Sequence, residues 1–259
     1  MMIQVKDVLH CLEQAAPYAL AESWDNVGLL VGDPEANVAG VLCALDITEA
    51  VVQEAAERGC NLIVAHHPVI FTSVSRVTAD TVTGRIVIAM IQEGISGICM
   101  HTNMDCAEAG VNDLLAASLG LTEVVNMEAG EGGNLGRVGN LPKPMSLSDF
   151  ARHVKLSLGA GGVRVADGGK PVQRVAVGGG ACGKLMDYAV AKGADTFVIG
   201  DCSYDIMMKA HDIGLNLLDA GHFPTENPVA RGFRDLIAEQ FPDLPVEVSD
   251  VHCDCIHFY

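Results

Sequence analysis

Residues 56–68 read Ala56-Glu57-Arg58-Gly59-Cys60-Asn61-Leu62-Ile63-Val64-Ala65-His66-His67-Pro68. A helical segment stops at Gly59, and after one polar residue a short, continuously apolar run follows with the character of a buried strand. The run ends in two imidazoles and a proline, which has no N–H for further ladder pairing. Adjacent side chains of an ideal strand point to opposite faces, so His66 and His67 can act together only because the strand ends there and the backbone turns.

Outward from this stretch the pattern repeats. Val5, Val8, Leu9 and Leu12 recur at helical spacing before Pro17 and predict an opening amphipathic helix. Val41-Leu42-Cys43-Ala44-Leu45-Asp46-Ile47 predicts a buried strand, with Thr48 as N-cap of the helix that stops at Gly59. Downstream, a helix to Gly94, a strand to Met100 and a helix from about Gly110 to Gly120 complete a βαβαβ layout with right-handed crossovers. Val190-Ala191-Lys192-Gly193-Ala194-Asp195-Thr196-Phe197-Val198 repeats the grammar of residues 56–64, and Val175-Ala176-Val177 supplies a preceding strand. Between them, Gly130, Gly132, Gly133, Gly136 and Gly139, a short helix near Ser148 and Gly161-Gly162 read as a connection. The expected fold is α/β: two similar three-layer α/β halves with mostly parallel sheets, related by a weak internal duplication. The expected bounds are 1–125 for the first half, with the C-terminal segment able to pack back onto it, 126–173 for the glycine-rich connection, and 174–259 for the second half.

The chain has 259 residues, of which 49% are hydrophobic, ample for a core. Its 16 Lys+Arg against 33 Asp+Glu give a formal charge of -17, which argues against a nucleic-acid partner, because counterion release needs a basic surface. Nine cysteines without a CxxC pair, most of them in apolar runs as Cys43 and Cys99 are, read as small buried hydrophobes in a reducing compartment. Cys253-Asp254-Cys255, flanked by His252 and His257, could bind metal, but CxC without a second pair favours a final strand of alternating side chains. With no apolar stretch of roughly 20 residues and no basic, then apolar, leader, the expectation is a soluble cytoplasmic protein without membrane attachment.

Three separated clusters point to chemistry: His66-His67, Asp105 after the run Ile98-Cys99-Met100, and His222 with Glu226 after Leu217-Leu218-Asp219-Ala220-Gly221. In parallel α/β sheets ligands collect at the carboxyl ends of strands, so three strand ends bearing His or carboxylate predict one composite pocket. Three imidazoles and two carboxylates can hold two divalent ions and leave positions open for water. Pro224 and Thr225 predict a helix start, with Glu226 in its first turn and able to reach back toward His222. If the halves are related, Asp201 ends a strand equivalent to that before His66 and lies near the same cleft. A lone histidine at a strand end is more often structural, and a lone aspartate there is more often a cap; only the conjunction points to metal. The turn Gly178-Gly179-Gly180-Ala181-Cys182-Gly183 fits neither a Walker A nor a GxGxxG pattern and reads as a tight structural turn more readily than as an anion cradle.

The stretches Trp24-Asp25-Asn26-Val27-Gly28-Leu29, Ala65-His66-His67-Pro68, His101-Thr102-Asn103-Met104-Asp105, the Gly178 turn and Asp219-Ala220-Gly221-His222-Phe223-Pro224-Thr225-Glu226 together resemble the dinuclear-metal-centre family named for a yeast NGG-interacting factor. Its bacterial members carry the name GTP cyclohydrolase I type 2 homologue, and the resemblance covers nearly the whole chain. It implies a two-domain α/β protein assembled as a toroidal homohexamer, a trimer of dimers. It also implies two divalent ions per chain (Zn, Fe, Mn, Co or Ni) on His66, His67, Asp105, His222 and Glu226, with His101 orienting ligands or transferring a proton. Relatives often carry Lys and His where this chain has Ser203-Tyr204-Asp205. The expected activity is metal-dependent hydrolysis of a small molecule, a nucleotide or phosphate ester, by water attack at a phosphoryl or purine-ring centre. The alternative is a non-catalytic hexameric metal-binding scaffold or partner-binding protein.

Overall fold

The apolar runs read as strands are strands in the computed structural model, which describes residues 2–130 and 132–259. In chain order the elements are α1 (Val5–Ala15), β1 (Gly28–Val31), β2 (Val41–Ala44), α2 (Glu49–Glu57), β3 (Leu62–Ala65), α3 (Val82–Glu93), β4 (Ser96–Cys99) and α4 (Thr102–Cys106). There follow α5 (Val111–Ser118), β5 (Thr122–Ala129), β6 (Leu135–Met145), α6 (Leu147–Leu158), β7 (Arg164–Ala166), β8 (Val172–Val177) and α7 (Met186–Ala191). The last are β9 (Thr196–Ile199), α8 (Tyr204–Asp212), β10 (Asn216–Asp219), α9 (His222–Glu226), α10 (Pro228–Gln240) and β11 (Val246–Val248). They form two compact units, Met1–Glu108 with Val229–Cys253, and Ala109–Pro228 with Asp254–Tyr259.

The first unit holds a sheet of order β1-β4-β3-β2-β11, parallel throughout except for β1. Leu42, Ala44, Ile63, Ala65 and Cys99 bury one face against Val51, Val52 and Ala55 of α2 and Ile86, Val87 and Met90 of α3. Val41, Cys43, Leu62, Val64 and Ile98, of the opposite parity, are buried as completely. Burial on both faces explains why these strands are apolar at every position. Thr48 and Thr81 cap the two helices by accepting from Val51 N at 3.2 Å and Gly84 N at 3.1 Å, satisfying donors that the first turn leaves open.

The second unit holds a sheet of order β5-β6-β8-β9-β10-β7. Its centre, β8-β9-β10, is parallel, and β5, β6 and β7 add to it antiparallel. Ala176, Phe197, Ile199 and Leu217 pack with Met186 and Ala189 of α7 and Ala210 of α8 on one side. Val175, Val177, Val198 and Leu218 pack with Leu115 and Ala116 of α5 and Phe150 and Val154 of α6 on the other. Three layers result. The shared grammar is a shared geometry: Gly59 and Gly193 end their helices at φ 71° and 74°. After each, the next N–H returns to the helix, Cys60 to Ala55 O at 2.8 Å and Ala194 to Ala189 O at 3.1 Å.

Three sequence expectations differ from this architecture. Residues 126–173 are not a connection: they lie in β5, β6, α6 and β7 of the second unit, whose sheet is therefore mixed. Gly130 and Gly133, at φ 80° and 71°, turn the hairpin, and Gly136 at φ 77° sits where a Cβ would lie 2.4 Å from Met127 Cε. The boundary also falls near residue 108 rather than 125, because Leu115 and Ala116 of α5 join the core around Val175 and Val198. The C-terminal segment does return to the first unit, where β11 pairs in parallel with β2, Val246 opposite Val41. Cys253 and Cys255 lie beyond this strand in irregular backbone and are exposed, so they do not form the expected final strand. Among the described residues, no helix is long and apolar enough to cross a membrane.

Candidate metal centre

In the first unit, the chain leaving β3 makes a tight bend in which both His66 N and His67 N donate to Leu45 O, at 3.1 and 2.9 Å. Two successive N–H groups on one acceptor break the strand's alternation, and this is how neighbouring imidazoles come to the same side. His66 is fully buried, and its Nδ1 lies 2.8 Å from Met100 O. His67 Nδ1 lies 2.7 Å from Asp46 Oδ1, and His101 Nδ1 lies 2.8 Å from Asp25 Oδ1. Carbonyl and carboxylate oxygens only accept, so in each ring Nδ1 carries the hydrogen and Nε2 presents a lone pair. The donor atoms of these three histidines lie within 4.8 Å of one another. Asp105, buried on α4 one turn beyond His101, places Oδ1 3.6 Å from His66 Nε2.

The carboxylates behind the rings are held ionised. Burial works to raise the Asp25 pKa, but hydrogen bonds from His101 and Thr102 outweigh it and keep the group well below the usual carboxylate range. Asp46 is likewise opposed by burial and pulled far down by hydrogen bonds from His252 and His67. Each therefore stays an acceptor that fixes the tautomer of the ring in front of it. Asn26 Nδ2 donates to Ile70 O at 2.6 Å, next to Phe71. Phe71 and Trp24, both more than half exposed, bring their ring centroids to 6.0 Å from that of His101.

In the second unit, β9 is followed by Gly200-Asp201, with Asp201 at φ 48°, and β10 ends before Gly221 at φ 90°. Asp201 Oδ2 lies 2.8 Å from His222 Nδ1, so this imidazole too directs Nε2 outward. Asp201, matched by the internal repeat to the strand end before His66, thus orients a histidine of its own unit. His222 and Glu226 stand one turn apart on α9, Nε2 and Oε2 3.0 Å apart. Sequence reading put Glu226 in the first turn of a helix begun at Pro224; instead it closes a five-residue helix that Gly221 opens. A new helix then starts at Pro228, which lacks the N–H to continue the old one.

The glycine turn is built around this pair. A Cβ on Gly180 would lie 2.2 Å from Glu226 Oε1 and 2.9 Å from His222 Nε2. Its N–H groups are spent internally, Gly179 N donating to Asn112 Oδ1 at 2.9 Å and Gly180 N to Thr225 Oγ1 at 3.0 Å. The turn is a backbone wall beside His222 and Glu226 rather than an anion cradle. Ser203 takes the N-cap position of α8 and Tyr204 is exposed.

In each unit Nε2 lone pairs backed by an acceptor on Nδ1 stand with a carboxylate, Asp105 in the first and Glu226 in the second, nitrogen and oxygen donors of the kind that suit a divalent transition metal. The model of the Duf34/NIF3 (NGG1p interacting factor 3) family matches residues 3–254. The chain belongs to this family. A Duf34/NIF3 relative from Clostridium perfringens, named GTP cyclohydrolase 1 type 2 homolog, is 38% identical over 250 residues, 95% of each chain. A hypothetical protein of Staphylococcus aureus of known structure is 31% identical, with a TM-score of 0.95 over 100% of both chains. A Bacillus cereus protein related to NIF3 superposes with a TM-score of 0.92 at 27% identity, over 100% of this chain and 99% of its own.

Within this Duf34/NIF3 chain the structure brings His66, His67 and Asp105 together in one unit and His222 and Glu226 together in the other. His101, read from sequence as a residue for orientation or proton transfer, stands among the donors of the first set. Sequence reasoning missed Asp25 and Asp46, which stand behind the rings of His101 and His67, and His252, which stands behind Asp46; Asp25 lay inside a quoted motif, but nothing local tied it to His101.

Proposed function

We propose that the donor sets hold two divalent ions, with His66, His67, His101 and Asp105 of the first unit and His222 and Glu226 of the second as ligands, and that the protein is a metal-dependent hydrolase. The observation that carries this reading is the uniform orientation of four imidazoles, each with Nδ1 bonded to a carbonyl or carboxylate. Structural histidines in a core have no reason to share one tautomer, whereas ligands need it. Bound ions would supply Lewis acidity and lower the pKa of a coordinated water. The chain's own contribution is to fix the rings through Asp25, Asp46 and Asp201 and to hold Asp25 and Asp46 ionised. The candidate electrophile is a phosphoryl or purine-ring carbon of a small nucleotide or phosphate ester, in keeping with the names of the relatives. Assembly as a hexamer, a trimer of dimers, in the cytoplasm belongs to the same proposal.

The test is elemental analysis of untreated protein, followed by turnover assays on nucleotides, phosphodiesters and simple phosphate esters with Mn, Fe, Co and Zn supplied separately. Turnover that disappears in His67→Ala while the native mass by sedimentation is unchanged supports the hydrolase. Absent turnover, with an assembly that dissociates on chelation, favours the non-catalytic scaffold instead.

A further inference from the structure

Beyond β11 the chain makes a short excursion held by several independent bonds. Ser249 N donates to Cys43 O at 2.9 Å, extending the β11–β2 ladder. Glu54, a buried carboxylate on α2, accepts from Ser249 Oγ and from Asp250 N, the latter at 2.9 Å. Arg58, one turn along the same helix, reaches Glu247 at 2.6 Å and Asp250 at 2.5 Å. Ser249 Oγ in turn accepts from His252 N at 3.1 Å. These bonds deliver the His252 ring, with 10% of its side chain exposed, to Asp46: its Nε2 lies 2.9 Å from Oδ2 and 3.2 Å from the Asp46 N. The other oxygen of Asp46 is the one that accepts from His67 Nδ1, at 2.7 Å.

We propose that His252 is a positioning residue for the ligand His67, acting through Asp46. The inference rests on the metal reading above. Asp46 is more than a third exposed, and a carboxylate with one occupied oxygen can swing about its last torsion toward water. His252 occupies the second oxygen and fixes the carboxylate plane. The fixed plane sets the direction from which Oδ1 receives the His67 Nδ1–H, and therefore where His67 Nε2 points. A segment that reaches the first unit only near the end of the chain thereby completes the shell behind a ligand at the end of β3.

The test titrates full-length, metal-stripped protein with Co²⁺ and reads both affinity and the visible d–d absorption, in wild type, His252→Ala, His252→Phe and His252→Gln. Removing an outer partner of a ligating histidine weakens metal affinity about 10- to 100-fold. The Ala and Phe variants are expected to lose affinity in this range and to shift the absorption bands. Gln, whose amide N–H can still donate to Asp46, is expected to restore both toward wild type. Phe keeps a ring of similar size, so the Phe and Gln pair decides the matter even if Ala does not fold. Wild-type protein that takes up no Co²⁺ overturns the metal reading and this inference with it. Wild-type uptake, with Phe and Gln variants alike in affinity and spectrum, overturns this inference alone and leaves His252 a purely structural group.

Discussion

Gly180→Ala separates what the glycine turn does for the fold from what it does for the proposed ligand Glu226. The backbone there has φ 63°, where a Cβ costs roughly 1–2 kcal/mol. The added methyl would also meet Glu226 Oε1 at 2.2 Å, and ordinary contact starts at 3.4 Å, so the carboxylate must retreat by roughly 1.2 Å. A carboxylate at the end of a side chain can make that movement cheaply, so stability suffers little beyond the backbone term. Ligation suffers far more, because metal–ligand distances tolerate only about 0.2 Å. The control is Gly193→Ala, at φ 74° with nothing within 4 Å of the new Cβ. Both variants are expected to melt a few degrees below wild type, on the order of the shift that roughly 1–2 kcal/mol produces in a chain of this size. Only Gly180→Ala is expected to lose metal affinity, by about 10-fold or more in a chelator competition assay. A Gly180→Ala protein that binds metal as tightly as Gly193→Ala would falsify the placement of Glu226 as a ligand.

Three further outcomes follow from the geometry. Asp25 has a folded pKa depressed below its ordinary 3.8, so its contribution to stability is complete above that value and is lost as pH falls through the folded pKa. Urea unfolding of Asp25→Asn should therefore lose about 1–3 kcal/mol at neutral pH and show a shallower decline below about pH 4 than wild type; equal slopes would contradict the hydrogen-bonded carboxylate. Metal at about 100 times its Kd should raise unfolding free energy by about 2.7 kcal/mol per site, so stripped protein that melts no lower than loaded protein would argue against any site formed only on folding. A Cβ on Gly161 would lie 2.5 Å from the Phe258 ring, so Gly161→Ala should release the last residues to carboxypeptidase faster than wild type, with little change in melting temperature.

What the sequence disclosed and what it hid divide along contact range. The strands announced themselves because double-sided burial leaves no polar position in Leu62–Ala65 or Thr196–Ile199 beyond the threonine, and Gly59 and Gly193 mark the preceding helix ends. His66, His67, Asp105, His222 and Glu226 were legible because each follows such a run within a few residues. Asp25 and His252 were not, since their partners His101 and Asp46 lie 76 and 206 positions away, and a lone Asp or His has many commoner uses. Glycine density misled between 126 and 173: positive φ at Gly130, Gly133 and Gly136 serves a hairpin and a close approach to Met127, but composition alone cannot tell these from a linker. Helix α5 was assigned to the wrong half because its amphipathic pattern states that a face is buried and not against which sheet.

The return of β11 to the edge of β2 imposes an order of events during synthesis. Residues 109–228 can begin to consolidate around β8, β9 and β10 as soon as they emerge from the ribosome, while the sheet that carries His66 and His67 still lacks its fifth strand. That earlier-emerging sheet waits, with the edge of β2 open, for a segment made more than a hundred residues later. Translation that stalls between 228 and 246 therefore leaves the nascent chain with an exposed strand edge, the state in which chaperone engagement or aggregation competes with maturation.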